Sequence, residues 1–279
     1  MVGINLKGVL KGLFGAAAAL AAVIAGRVIG LYILSRAFGK AGLTAETYAF
    51  APGYLRFLAD NPDTPVGLAG YAFGITALMF LRDMFPARQG RLRAVYCLLP
   101  LAAAGTGFGL VKLLTALDEI RTFGTIEASA ASEYIKLLFR GLFRGLFLYA
   151  CLYEGFGEKL SLPVCGLFSA FLGCVMSGGV NVLPAVNGFL AGWLGARLYA
   201  RTSSVLPGAL IYWGFGCGSR LLAGYPGENV FSVSAGVWYG GADGLNASVL
   251  LALILAVCLL VTEVLHGKKT VVHCKSQGR

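Results

Sequence analysis

The chain has 279 residues, 57% of them apolar before its 40 glycines are counted, and only 13% are charged. Soluble domains run at ~45–50% apolar with glycine included and ~25% charged, so 23 basic and 13 acidic side chains are too few to solvate a soluble globule or a disordered chain. The net charge of +10 excludes little by itself, but Lys and Arg collect between apolar runs rather than on one polar face. That pattern indicates orientation in a bilayer and no nucleic-acid ligand.

A helix crosses a bilayer with ~20 mostly apolar residues. The expected architecture is all-α, a polytopic bundle of about eight transmembrane helices forming a single domain over 1–279. In chain order the spans are Gly12 to Leu34, Pro65 to Leu81, Ala94 to Val111, Leu137 to Tyr153, Leu160 to Ser177, Leu183 to Ala200, Val205 to Ser219 and Gly244 to Thr262. The first run also has the look of a signal peptide, with Lys7 and Lys11 before an alanine-rich stretch, but its apolar character resumes after Arg27 and completes a span. The uncharged run from Leu160 to Ala196 is too long for one crossing, and Ser177-Gly178-Gly179-Val180-Asn181 is its expected reversal.

With the N-terminus cytoplasmic, the inner segments carry Lys7, Lys11, Arg82, Arg88, Arg91, Arg93, Lys159, Arg197, Arg201, Lys268, Lys269, Lys275 and Arg279. The longer outer segments carry only Arg36, Lys40, Arg56, Lys112, Arg121, Lys136 and Arg220. This bias is expected to put both termini in the cytoplasm and the protein in a membrane, the cytoplasmic or inner one if the source is prokaryotic.

The 7 cysteines show no two-residue spacing of a zinc or redox site and read as reduced small hydrophobes. The 2 histidines, His266 and His273, both lie in the basic tail, which rules out an intramembrane histidine site. No carboxylate cluster has metal-ligand spacing and no phosphate loop follows a strand, so no metal and no cofactor is expected. Glycines spaced four apart, such as Gly26/Gly30, Gly70/Gly74 and Gly188/Gly192, permit close helix approach within the monomer.

Charges inside spans are expensive and therefore candidate functional groups. Three arginines qualify: Arg27, Arg140 and Arg144. Glu133, Lys136, Arg140 and Arg144 follow at steps of three and four, which puts them on one helical face. The functional reading is a site for a phosphate headgroup, a carboxylate or a peptide terminus. The structural reading has Arg140 snorkelling to the interface and Arg144 bonding backbone carbonyls of a neighbouring broken helix. Glu154, Glu158 and Lys159 read as solvated residues of a helical hairpin, and Asn181 and Asn187 as caps at the reversal or as buried polar groups.

The stretch Leu142 to Met176, LFRGLFLYACLYEGFGEKLSLPVCGLFSAFLGCVM, resembles the core of the CAAX-protease and bacteriocin-processing family of intramembrane endopeptidases, as does Asn187 to Gly218. Arg144-Gly145, Phe156-Gly157, Ser169 to Phe171, Gly188, Gly192, Arg201-Thr202-Ser203 and Pro207 carry the likeness. The family's glutamate pair falls on Phe139 and Arg140, its first histidine near Val175 and its second on Ile211 or Tyr212, with Phe215 or Gly216 in place of its asparagine. The resemblance thus implies a degenerate member, a pseudoenzyme that keeps the bundle and its groove without the groups that activate water. Its expected ligands are the bilayer, an anionic lipid, a peptide or another membrane protein, held by Arg144, Arg140, Arg27, Lys136, Tyr212 and Asn187. Two other readings remain: a permease-like subunit for an anionic solute, built on the interrupted Leu160 to Ala196 run, and a metal-dependent enzyme using Glu133, Glu154 or Glu158.

Overall fold

Long apolar stretches without internal proline produce the first helix, α1 (Leu6–Lys40), which keeps Gly12, Gly15, Ala16, Ala19 and Gly26 buried. Its large side chains, among them Leu10, Phe14, Ile24, Val28 and Leu31, are exposed instead. A soluble helix does the reverse; small residues inward and large apolar residues outward is the arrangement of a helix that packs closely on neighbours and meets lipid. The computed structural model describes residues 6–40, 42, 56, 58–59, 62–81, 128–156, 158–176, 182–223 and 248–276. Among them every regular element is helical.

The following helices are α2 (Asp63–Leu81), α3 (Ala128–Gly145), α4 (Glu158–Met176), α5 (Val182–Thr202), α6 (Leu206–Ala223) and α7 (Val249–Ser276). Two of them, α1 and α2, are long and apolar enough to cross a membrane by length and composition. Each helix lies on an expected span, and the Ala94 to Val111 span and the 177–181 reversal lie outside the described residues. Asp63 and Pro65 in the first turn of α2 suit a helix start, where a carboxylate meets the positive end of the dipole and no N–H is needed from proline. The residues fold as two compact units, Met1–Arg88 with Gly124–Ser161, and Gln89–Phe123 with Leu162–Arg279. The division falls inside α4.

In the first unit α3 passes without a break into eight residues of wider π-helix, Leu146–Tyr153, and then a short α-turn, Glu154–Phe156. Phe147, Leu148, Tyr149, Cys151, Leu152 and Tyr153 of the π segment are buried. Gly12 of α1 lies against it, so that a Cβ there would stand 3.1 Å from the Cys151 carbonyl oxygen. Ser161 donates its hydroxyl to the Tyr153 carbonyl at 2.5 Å. A straight helix cannot bring residues eight apart together, so the chain bends sharply between them.

In the second unit α4 and α5 run antiparallel on glycines. A Cβ at Gly188 would meet the Ser169 carbonyl oxygen at 2.6 Å, and one at Gly192 the Cys165 carbonyl oxygen at 2.5 Å. Ala191, Leu194 and Leu198 of α5, Ile211 and Phe215 of α6, and Leu251, Leu255 and Cys258 of α7 form the core, each set at helical spacing. The reversal from α5 to α6 turns on Ser203, held at φ 53°. Thr202 Oγ1 accepts from the Ser204 N–H, and Ser204 Oγ from the Leu206 N–H.

Candidate functional site

Four of the six candidate residues, Arg27, Lys136, Arg140 and Arg144, belong to the first unit. Their positions follow from the way α2 sits beside α1 and α3. Gly67 faces Lys136, whose Cδ would be 3.1 Å from a Cβ there, and Gly74 faces Phe143, whose Cε2 would be 2.7 Å away. Tyr71 also meets the Phe143 ring, with centroids 5.8 Å apart. The residue offset is the same at Gly67 and Gly74, so α2 and α3 run parallel.

On the other flank, a Cβ at Gly70 would lie 2.6 Å from Arg27 Cγ and 3.0 Å from the Val23 carbonyl oxygen. Glycine is required at this position because the arginine stem crosses bare backbone. The same α2–α3 register puts Gly70 and Tyr71 level with Phe139 and Arg140. Arg27 therefore crosses α2 at the height of Arg140, between Lys136 and Arg144.

Two of these cations pair with acids on α2 and α3: Arg27 with Asp63 and Lys136 with Glu133. Arg27 donates through Nη2 to Asp63 Oδ1 at 3.1 Å, with 51% and 83% of the two side chains exposed. At that exposure the pair adds at most ~1 kcal/mol in water and leaves the guanidinium accessible. Lys136 Nζ donates to Glu133 Oε1 at 2.5 Å, and this pair is enclosed, with 14% and 5% exposed. Arg140 and Arg144 are half-buried and occur on the same helix face as Lys136. The face so built is guanidinium-rich and suited to the paired oxygens of a phosphate or carboxylate.

Asn187 and Tyr212 belong to the second unit. Buried Asn187 donates Nδ2 to the Ser248 carbonyl at 2.9 Å, and Ser248 in turn caps α7 by accepting the Leu251 N–H at 3.2 Å. Asn187 thus tethers the start of α7 rather than capping the nearby reversal. Tyr212 OH and Ser169 Oγ share a hydrogen bond at 2.8 Å. Two arginines of α5 are also engaged with α7: Arg197 with Glu263 at 2.7 Å, and Arg201 with the Thr262 carbonyl.

Thr64, Gly67, Ser169 and Ser248 carry no site signal of their own in the sequence, and Gly70 reads there only as a close-packing glycine. Among the described residues no three His, Cys, Asp or Glu side chains come together as a metal centre. The positions on which the protease-like glutamates and second histidine fall hold Phe139 and Arg140 in the first unit, and Ile211 and Tyr212 in the second. No family model, no curated protein and no solved structure matches the chain.

Proposed function

We propose that this chain is an integral membrane bundle of about eight helices, with both termini cytoplasmic, that binds the anionic group of a lipid, peptide or membrane partner on the face formed by Arg27, Lys136, Arg140 and Arg144. Its framework resembles that of the CAAX-protease and bacteriocin-processing family without the catalytic residues, so the reading is a binding protein rather than a hydrolase. The carrying observation is that Arg27 of α1 and Lys136 of α3 both lie on glycines of α2, at Gly70 and Gly67, with Arg140 and Arg144 continuing the helix face of Lys136. Along α3 the sequence sets three bases, two of them guanidinium groups, with one acid on one helical face, a composition suited to the paired oxygens of an anionic group.

The eight-span reading is supported by helix direction. In the first unit α2 and α3 are parallel, as expected for two crossings from the outside inward, and in the second α4 and α5 are antiparallel, as expected for consecutive crossings. The outward large residues of α1 agree with a lipid-facing surface.

The permease reading draws less support. Its broken helices would be half-length, whereas α4 and α5 have 19 and 21 residues, each about the length of a full crossing. The test is native mass spectrometry of the purified protein with phosphatidylglycerol and phosphatidylcholine in competition. Preferential retention of the anionic lipid is expected; equal retention contradicts the proposal, and anion flux in proteoliposomes would favour transport.

A further inference from the structure

The ion pair between Glu133 and Lys136 occupies one carboxylate oxygen, Oε1. The other, Oε2, is enclosed and has no hydrogen-bond partner among the described residues, and the same holds for Thr64 Oγ1. Both residues are deeply buried, Thr64 at 2% and Glu133 at 4% exposure. They are also neighbours. Gly67 lies beside Lys136 and Gly74 beside Phe143 with one common offset, and stepping back one helical turn on each parallel helix sets Thr64 beside Glu133. Two helices that approach on glycine therefore set two enclosed oxygens, each lacking a partner among the described residues, on facing positions of one interface. Buried polar groups are nearly always satisfied, so such a pair of oxygens points to a bound group.

We propose that Thr64 and Glu133 form a binding site for one neutral hydroxyl group. Charge selects this class of ligand. Lys136 already neutralises Glu133, so a cation would leave an unmatched positive charge in an enclosed gap, and an anion would face a carboxylate oxygen. A hydroxyl donates its hydrogen to Glu133 Oε2 and accepts one from Thr64 Oγ1, satisfying both atoms with no change in charge. Two molecules supply this chemistry: a single water, or the headgroup hydroxyl of an anionic lipid whose phosphate lies on the neighbouring cations. The second source rests on the proposed function; the first does not.

Thr64→Val keeps the side-chain shape and removes the hydroxyl, and Thr64→Ser keeps the hydroxyl. The full-length protein and both variants are melted in lipid-free detergent, with phosphatidylglycerol, and with phosphatidylmethanol, which carries the same phosphate charge without headgroup hydroxyls. Lipid retention is read in parallel by native mass spectrometry. An occupied site makes Thr64→Val melt about 2–4 °C lower and lets Thr64→Ser recover most of that loss. A loss seen in detergent alone, with equal retention of the two lipids, identifies water as the occupant. Several-fold preference of the wild type for phosphatidylglycerol over phosphatidylmethanol, erased by Thr64→Val, identifies the lipid hydroxyl. Thr64→Val melting at or above the wild-type temperature, with no preference between the two lipids, overturns the proposal, because deleting a hydroxyl that has no partner is neutral or stabilising. Equal retention of anionic lipids and phosphatidylcholine would sink the functional reading alone and leave the water result intact.

Discussion

Arg27 rests its aliphatic stem on the backbone of Gly70, where an added Cβ would stand 2.6 Å from Arg27 Cγ. A cation in the middle of an apolar helix is thereby held by shape, with its guanidinium free to reach Asp63 at the start of α2. Snorkelling of this kind needs a neighbour with no side chain in the way.

Gly70→Ala should destabilise the protein by about 1–3 kcal/mol, the usual range for overpacking. The added methyl meets the Val23 carbonyl oxygen as well as Arg27, and the carbonyl cannot move aside. Gly67→Ala should cost less, because its neighbour is the flexible Lys136 stem at 3.1 Å. Thermal unfolding in detergent measures both, and equal losses would contradict the packing described.

Ser203 sits at φ 53° between α5 and α6, a left-handed conformation that costs a residue with a Cβ ~1 kcal/mol or more. Ser203→Gly should therefore raise the melting temperature, and Ser203→Val should lower it. A neutral glycine variant would mean that local hydrogen bonding through the serine offsets the backbone strain.

Asn187→Leu removes the donor to the buried Ser248 carbonyl and should cost ~1–3 kcal/mol. Ser248→Ala removes the α7 cap and should cost ~1 kcal/mol. Both residues belong to the second unit, and the cationic residues to the first. Lipid retention by the folded variants should match the wild type, and altered retention would bring Asn187 back into the binding site.

The helices were legible because their apolar lengths and flanking polar residues carry the information locally. Leu160 to Ala196 was separable into two helices on length and glycine alone, and α4 and α5 end and begin on either side of 177–181. Partners were not legible. Gly70 and Gly74 announced a close approach, but only the three-dimensional register makes their neighbours Arg27 and Phe143. The Glu133, Lys136, Arg140 and Arg144 face could be drawn from helical spacing, whereas Thr64, which only the α2–α3 register sets level with Glu133, is distant in sequence and ordinary in type. Asn187 reads locally as a cap for its own turn; its bond to Ser248 depends on the parallel packing of α5 and α7. The π segment Leu146–Tyr153 has no marker, being a run of large apolar residues that suits an α-helix equally well.

Purified protein should cleave membrane-embedded peptides no faster than a blank. The expectation follows from the residues at the protease-like positions, Phe139, Arg140, Ile211 and Tyr212, none of which serves as a base for water near neutral pH. Peptide cleavage abolished by Glu154→Gln or Glu158→Gln would assign a catalytic carboxylate to the sharp bend instead, and sensitivity to a chelator would assign a metal to it.

Anion binding on the cationic face of α3 is decided at Arg144, one helical turn of ~5.4 Å further along the helix than Arg140. Anionic-lipid retention is compared by native mass spectrometry for wild type, Arg144→Leu and Arg197→Leu, the last breaking only the ion pair with Glu263. Losing a charge-assisted hydrogen bond is worth ~1.5–3 kcal/mol, or about 10- to 150-fold in affinity. A loss in that range is expected for folded Arg144→Leu, with wild-type retention for Arg197→Leu; equal retention by all three proteins would show that the face holds no anion.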